Sequence, residues 1–99
     1  MANIIREVLN NNNQELVLYC FGQSKVGFGI TGTWTGSVAF AVSYDGVTFF
    51  PLGVNAFPSG TAVASTTANG NFEAATKNAV AVRARFTLTS GSPIVVIGA

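Results

Sequence analysis

The sequence predicts an all-β protein, a small antiparallel β-sandwich or jelly-roll-like barrel of about seven or eight strands. Three observations carry that expectation. Apolar residues recur at every second position in several stretches, which lines one side of an extended strand and not of a helix. Turn-forming residues punctuate these stretches at short intervals. The chain is also 48% hydrophobic with only 9% charged residues, against roughly 25% charge in an ordinary domain. Apolar content at that level excludes a disordered chain, and Asn, Thr, Ser and Gly must cover much of the surface. With 99 residues one domain is expected, burying roughly 64% of the surface that the unfolded chain exposes.

The first element is ambiguous. Ile4, Ile5, Val8 and Leu9 fit one helical face, but the stretch is too short to hold a helix alone. The Asn run at 10–13 reads as a loop in either case. Residues 1–13 are expected to form an N-terminal arm that packs on the body or on a neighbour. Residues 14–99 are then a single β-sandwich domain.

Within that domain, residues 16–21 and 94–97 are continuous apolar runs. Each reads as a strand covered on both faces, or as one lying at a subunit contact. Residues 26–30 alternate Val26, Phe28 and Ile30 with Gly27 and Gly29. Residues 38–42 set Val38, Phe40 and Val42 against Ala39 and Ala41. Asp45-Gly46 then predicts a tight hairpin between 38–44 and 47–52, because both central residues can reach positive φ. Asn69-Gly70 predicts a second hairpin, between 61–67 and 71–75. Residues 80–88 place Val80, Val82, Ala84, Phe86 and Leu88 opposite Ala81, Arg83, Arg85 and Thr87. Ser90-Gly91-Ser92-Pro93 turns the chain into its final run.

Chemistry-bearing residues are scarce. The net charge is +1, and only Arg83 and Arg85 form a basic pair, so a nucleic-acid partner is not expected. There is no histidine, which removes the usual acid–base catalyst and the commonest metal ligand. Cys20 is the single cysteine; it allows no internal disulfide, and its neighbours Tyr19 and Phe21 suggest a small buried hydrophobe. The four carboxylates, Glu7, Glu15, Asp45 and Glu73, are isolated from one another, and Asp45 lacks the acidic cluster of a calcium loop. No serine stands in a nucleophile-elbow context. Lys25 and Lys77 lie in polar, loop-like sequence. The chain is read as a non-enzyme without cofactor or metal. No secretory leader or membrane-length apolar run is evident, so synthesis in the cytoplasm and no membrane partner are expected.

Aromatic residues are the remaining candidates. Trp34, flanked by small residues in TGTWTG, could join Tyr44 and Asp45 as a platform for a sugar ring. The plainer alternative has Trp34 capping the core beside the Asp45-Gly46 hairpin, as large aromatics usually do. Phe49 and Phe50 are adjacent, so one should enter the core while the other faces solvent or an interface.

The segment ITGTWTGSVAFAVSYDGVTFFPL resembles a pattern found in small bacteriophage virion-associated β-sandwich proteins: Gly-Thr-Trp-x-Gly, a strand, then Ser-x-Asp-Gly and an aromatic. Its residues here are Gly32, Thr33, Trp34, Gly36, Ser43, Asp45, Gly46 and Phe49, the last standing where the family more often has Trp. The end of the chain, AVAVRARFTLTSGSPIVVIGA, is similar to that family's closing hairpin, with an Ala-x-Arg-x-Arg strand, a Ser-Gly turn and an aliphatic last strand. The two matches cover a little under half of the chain. The Ser-x-Asp-Gly-aromatic element also occurs in carbohydrate-binding discoidin-like sandwiches.

The resemblance implies a structural protein of the virion. The leading expectation is a capsid decoration, or cement, protein that binds the lattice of the major capsid protein and copies of itself on the capsid surface. Its expected contact residues are Ile4, Ile5, Val8, Leu9, Phe50 and Arg85. A carbohydrate-binding module of a tail or head fibre, recognising a host surface glycan through Trp34, Tyr44 and Asp45, is the alternative. A minor tail or baseplate component is a third reading.

Overall fold

Alternating apolar residues are realised as eleven strands and no helix among the described residues of the computed structural model, which are 4–10, 14–21, 23–56, 62–76 and 78–99. In chain order they are β1 (Ile4–Val8), β2 (Glu15–Tyr19), β3 (Lys25–Thr31), β4 (Trp34–Ser43), β5 (Phe49–Pro51) and β6 (Val54–Ala56). Then follow β7 (Ala62–Val63), β8 (Ser65–Thr66), β9 (Gly70–Ala75), β10 (Ala81–Gly91) and β11 (Ile94–Gly98). Lys77, residue 61 and positions 1–3 and 11–13 of the expected arm lie outside the described residues.

The strands form two antiparallel sheets packed as a sandwich. One has six strands in the order β1-β11-β3-β9-β6-β7; the other has five, with β2-β10-β4-β5 in line and β8 also paired to β4. The strand count exceeds the expected seven or eight partly because β7 and β8 belong to one extended stretch that changes sheet. Its pivot is Ala64, whose carbonyl accepts the Phe40 amide at 2.9 Å. A strand that crosses from one sheet to the other in this way makes a corner of the sandwich.

Inward residues meet in one core. Phe28, Phe40 and Phe72 pack as a tilted row with ring centroids 4.9 and 5.6 Å apart. Val38, Phe86, Val95 and Ile97 surround them with no exposed surface. Cys20 is buried as expected, its Sγ 3.6 Å from the Ala79 carbonyl oxygen.

Four local expectations are corrected by this topology. The two apolar runs are not covered on both faces in the monomer: β2 and β11 alternate, leaving Val17 and Tyr19, and Ile94 and Val96, on outer faces. Asp45-Gly46 is not a two-residue hairpin, because β4 and β5 close their ladder at Ser43 and Phe49 around a five-residue loop. Asn69-Gly70 joins no hairpin, since β8 belongs to the five-stranded sheet and β9 to the six-stranded one. The same holds for Ser90-Gly91-Ser92-Pro93: β10 and β11 lie in opposite sheets, so the turn carries the chain across the sandwich. Turn chemistry signals a reversal but not which sheet receives the next strand.

Gly36 shows why one motif glycine is needed. It has φ 146° and faces β10 where the register shifts between Leu88 and Ser90. A Cβ there would lie 2.2 Å from the Thr87 carbonyl oxygen, so only glycine lets β4 approach β10 at the bulge.

Candidate functional site

The N-terminal contact residues divide between two faces. Helical spacing would have kept Ile4, Ile5, Val8 and Leu9 together, but β1 pairs with β11 in register Ile5↔Ile97 and Val8↔Ile94. Strand alternation therefore sends Ile4 and Val8 outward, 69% and 48% exposed, and turns Ile5 toward the core. Leu9 is fully buried, with its amide donating to the Pro93 carbonyl at 2.9 Å. Leu9 is a core residue of the folded chain and not a contact residue.

The expected sugar platform is not assembled. Trp34 opens β4 and Tyr44 follows its end, so about 33 Å of strand separates them at roughly 3.3 Å per residue. The Trp34 ring is half-buried edge-on to Phe86, with centroids 5.5 Å apart. Its Nε1 donates to Asn69 Oδ1 at 2.6 Å, and Asn69 Nδ2 donates to the Gly32 carbonyl at 2.9 Å. Trp34 thus caps the core, though at the opposite end of β4 from the Asp45 loop. Asn69 clamps the entry to β4, a role that its turn dipeptide did not reveal.

Asp45 is consumed by its own loop. Its Oδ1 accepts the Val47 and Thr48 amides, each at 2.8 Å, and the Ser43 hydroxyl at 3.0 Å. Ser43 Oγ in turn accepts the Gly46 amide at 2.8 Å. These bonds, led by those from Thr48 and Val47, hold the Asp45 carboxyl down at about 2 from an ordinary 3.8, against a small opposing effect of burial. Ser43, Asp45 and Gly46 of the motif are a loop-building unit. Tyr44 beside them is exposed, with its ring 6.5 Å from that of Phe50.

The outer face of the five-stranded sheet gathers the two arginines. Register places Val17, Arg83, Ala41 and Pro51 on one rung, and Glu15, Arg85, Ala39 and Ser65 on the next. Small residues on β4 leave a groove of about 500 Å³ lined by Ala39, Ala41, Phe49, Pro51, Arg83 and Arg85, among others. The Arg83 guanidinium carbon sits 4.5 Å from the centre of the Phe49 ring, a cation–π contact of about 0.5–1 kcal/mol at an accessible site. Its Nη1 is 3.8 Å from Glu15 Oε2, beyond hydrogen-bonding distance, and its buried Nε has no partner. Phe49 is half-buried and Phe50 is 51% exposed. Neither enters the core, because β5 is a short strand at the rim, where Phe49 meets Arg83 and Phe50 meets Tyr44.

The outer face of the six-stranded sheet is apolar around two glycines. Rungs run Arg6–Val96–Gly29–Asn71 and Ile4–Gly98–Gly27–Glu73. Gly27 and Gly29 floor a trough of about 480 Å³ with Thr31, Val96, Asn71 and Glu73 along its sides. A Cβ at either glycine would meet nothing closer than 3.7 Å, so packing within the chain does not require glycine at these two positions.

No family model matches the chain, and comparison with curated protein sequences finds no match. In three dimensions the chain is similar to the SPBc2 prophage-derived protein YomS, with a TM-score of 0.76 at 10% identity over 98% of this chain and 93% of YomS. It is similar to the PBSX exported protein XepA, with a TM-score of 0.80 at 15% identity. That match covers 98% of this chain but only 37% of XepA. PliG of Aeromonas hydrophila, a periplasmic lysozyme inhibitor of g-type lysozyme, aligns with a TM-score of 0.57 at 8% identity, covering 99% of this chain and 84% of PliG. At these identities the likeness is one of fold.

Proposed function

We propose that this chain is a non-catalytic structural protein of a phage virion that decorates the capsid by seating the outer face of its six-stranded sheet on the major capsid protein. The observation that carries the reading is that face itself. Val96 and Ile94 of β11, then Ile4 and Val8 of β1, carry an apolar surface away from one side of the Gly27–Gly29 trough; Asn71 and Glu73 stand on its other side, and Arg6 and Lys25 are the cations of the same face. Glycine inside a strand costs about 0.5–1 kcal/mol relative to alanine. Where packing within the chain does not call for it, close approach of another surface does. A soluble domain that stays alone keeps more charge and smaller apolar patches. Similarity of fold to a prophage-derived protein over nearly the full length of both chains supports the phage part of this reading.

Quantitative mass spectrometry of purified virions that encode the chain tests it. The expected result is an abundance comparable to that of the major capsid protein, lost when Gly29→Gln fills the trough while circular dichroism and melting temperature stay unchanged. A few copies per particle, or undiminished incorporation of the Gly29→Gln protein, would overturn the proposal.

A further inference from the structure

The groove on the opposite face, across the five-stranded sheet, has a chemistry of its own. Its polar side chains are Arg83 and Arg85, which only donate, and the Ser65 hydroxyl, which can donate or accept. No carboxylate lines it, and the nearest, Glu15, stays 3.8 Å from Arg83. The Arg85 side chain has no hydrogen-bond or ion-pair partner among the described residues. Arg83 Nε is removed from water without an acceptor, a state that costs stability until one arrives. Contact with the Phe49 ring already holds the Arg83 guanidinium in place, so less freedom is lost when it engages an anion.

We propose that this groove binds an acidic peptide segment of a protein partner. A Glu or Asp carboxylate is received by Arg85 and Arg83, and the apolar neighbours of that residue lie on Ala39, Ala41, Phe49 and Pro51. Guanidiniums grip carboxylates through short, charge-assisted and often bidentate bonds. A saccharide fits less well, since its hydroxyls are donors as well as acceptors and this lining offers few acceptors. The peptide lies on the face and adds no strand. The β4 edge is already paired with β5 and β8, and Phe40 between them donates to Ala64 and accepts from Leu52. The inference does not depend on capsid decoration, which uses the other sheet.

The test is an amide-shift titration of the ¹⁵N-labelled protein with a blocked Ala-Glu-Leu-Glu-Ala peptide, its Gln counterpart and an oligogalacturonate. The expected result is saturable shifts at Ala39, Ala41, Ser65 and Arg85 with the Glu peptide. The Gln peptide should bind roughly tenfold or more weakly, and Arg85→Gln should weaken the Glu peptide by a similar factor without moving the melting temperature. No saturable shift up to about 10 mM peptide would overturn the proposal, that being below the affinity of even a weak specific contact. So would equal binding of the Gln peptide, or shifts confined to the six-stranded sheet. Tighter binding of the oligogalacturonate at the same residues would overturn it in favour of a saccharide site.

Discussion

Gly36→Ala is expected to be severely destabilising although it adds only one methyl group. At φ 146° the residue occupies backbone space that is essentially reserved for glycine, and holding an L-residue there costs about 1–3 kcal/mol. The new Cβ would also lie 2.2 Å from the Thr87 carbonyl oxygen and 3.1 Å from Leu88 Cα. Both atoms are backbone of β10, the strand with which β4 makes its whole ladder from Ser43 to Trp34. Relief requires moving the strands apart, an overpacking cost of about 1–3 kcal/mol more. The midpoint of the two together, about 4 kcal/mol, is a large share of the roughly 5–15 kcal/mol that stabilises a domain. At about 4–8 °C per kcal/mol for this size, the melting temperature should fall by roughly 16–32 °C. Gly27→Ala is the matched control: its Cβ would meet only the Phe72 carbonyl oxygen at 3.9 Å, so alanine should be neutral or gain up to about 1 kcal/mol. Differential scanning calorimetry of the two variants decides. A fall of less than about 4 °C for Gly36→Ala, or equal losses for both, would refute the steric reasoning.

Three further outcomes follow from other parts of the fold. Leu9→Ala should cost about 2–5 kcal/mol in urea unfolding, as for a fully buried leucine; a loss under about 0.5 kcal/mol would mean that the segment carrying it is not part of the core. Asp45 has its folded-state pKa lowered to about 2 from 3.8, so its ionised form stabilises the fold above the unfolded value and that contribution disappears as pH falls through the folded one. The gap in urea midpoint between the native protein and Asp45→Asn should therefore be constant near neutrality and narrow from about pH 4 to about pH 2, whereas a pH-independent gap would contradict this assignment. Trp34→Phe should lose about 0.5–1.5 kcal/mol with the Asn69 bond while keeping ring packing on Phe86; Asn69→Ala should cost at least as much, and a neutral result for both would remove the clamp from the account of β4 entry.

The alternation of apolar residues was legible because it is local. In residues 26–30 the inward set read from spacing is the buried set, and in 38–42 and 80–88 Val38, Phe40, Val42, Val82, Ala84 and Phe86 are buried as read, with Ala41 and Ala81 of the opposite set buried as well. The all-β class and the sandwich follow from those stretches and their turns. Less was legible wherever two distant segments had to meet. Ile4, Ile5, Val8 and Leu9 fit a helix on spacing alone, and pairing with β11, about ninety residues away, made them a strand with two faces. Asn69-Gly70 and Ser90-Gly91 looked like hairpin turns, since a dipeptide encodes positive φ and reversal but no destination.

The candidate sites divide in the same way. Sequence by itself determined that catalytic groups were scarce, that Cys20 would be buried and that Arg83 and Arg85 would share a face, because composition and period-two alternation need no partner. Tertiary structure decided everything that depends on register. It set Trp34 and Tyr44 at opposite ends of one strand, turned Asp45 inward on its own loop, and placed the arginine pair across small β4 residues from Phe49 and Pro51. It also put Gly29 between Val96 and Asn71 and Gly27 between Gly98 and Glu73, converting two weak strand residues into an open trough. Side-chain direction is a property of a single strand, whereas a groove is a property of three or four strands held in one register.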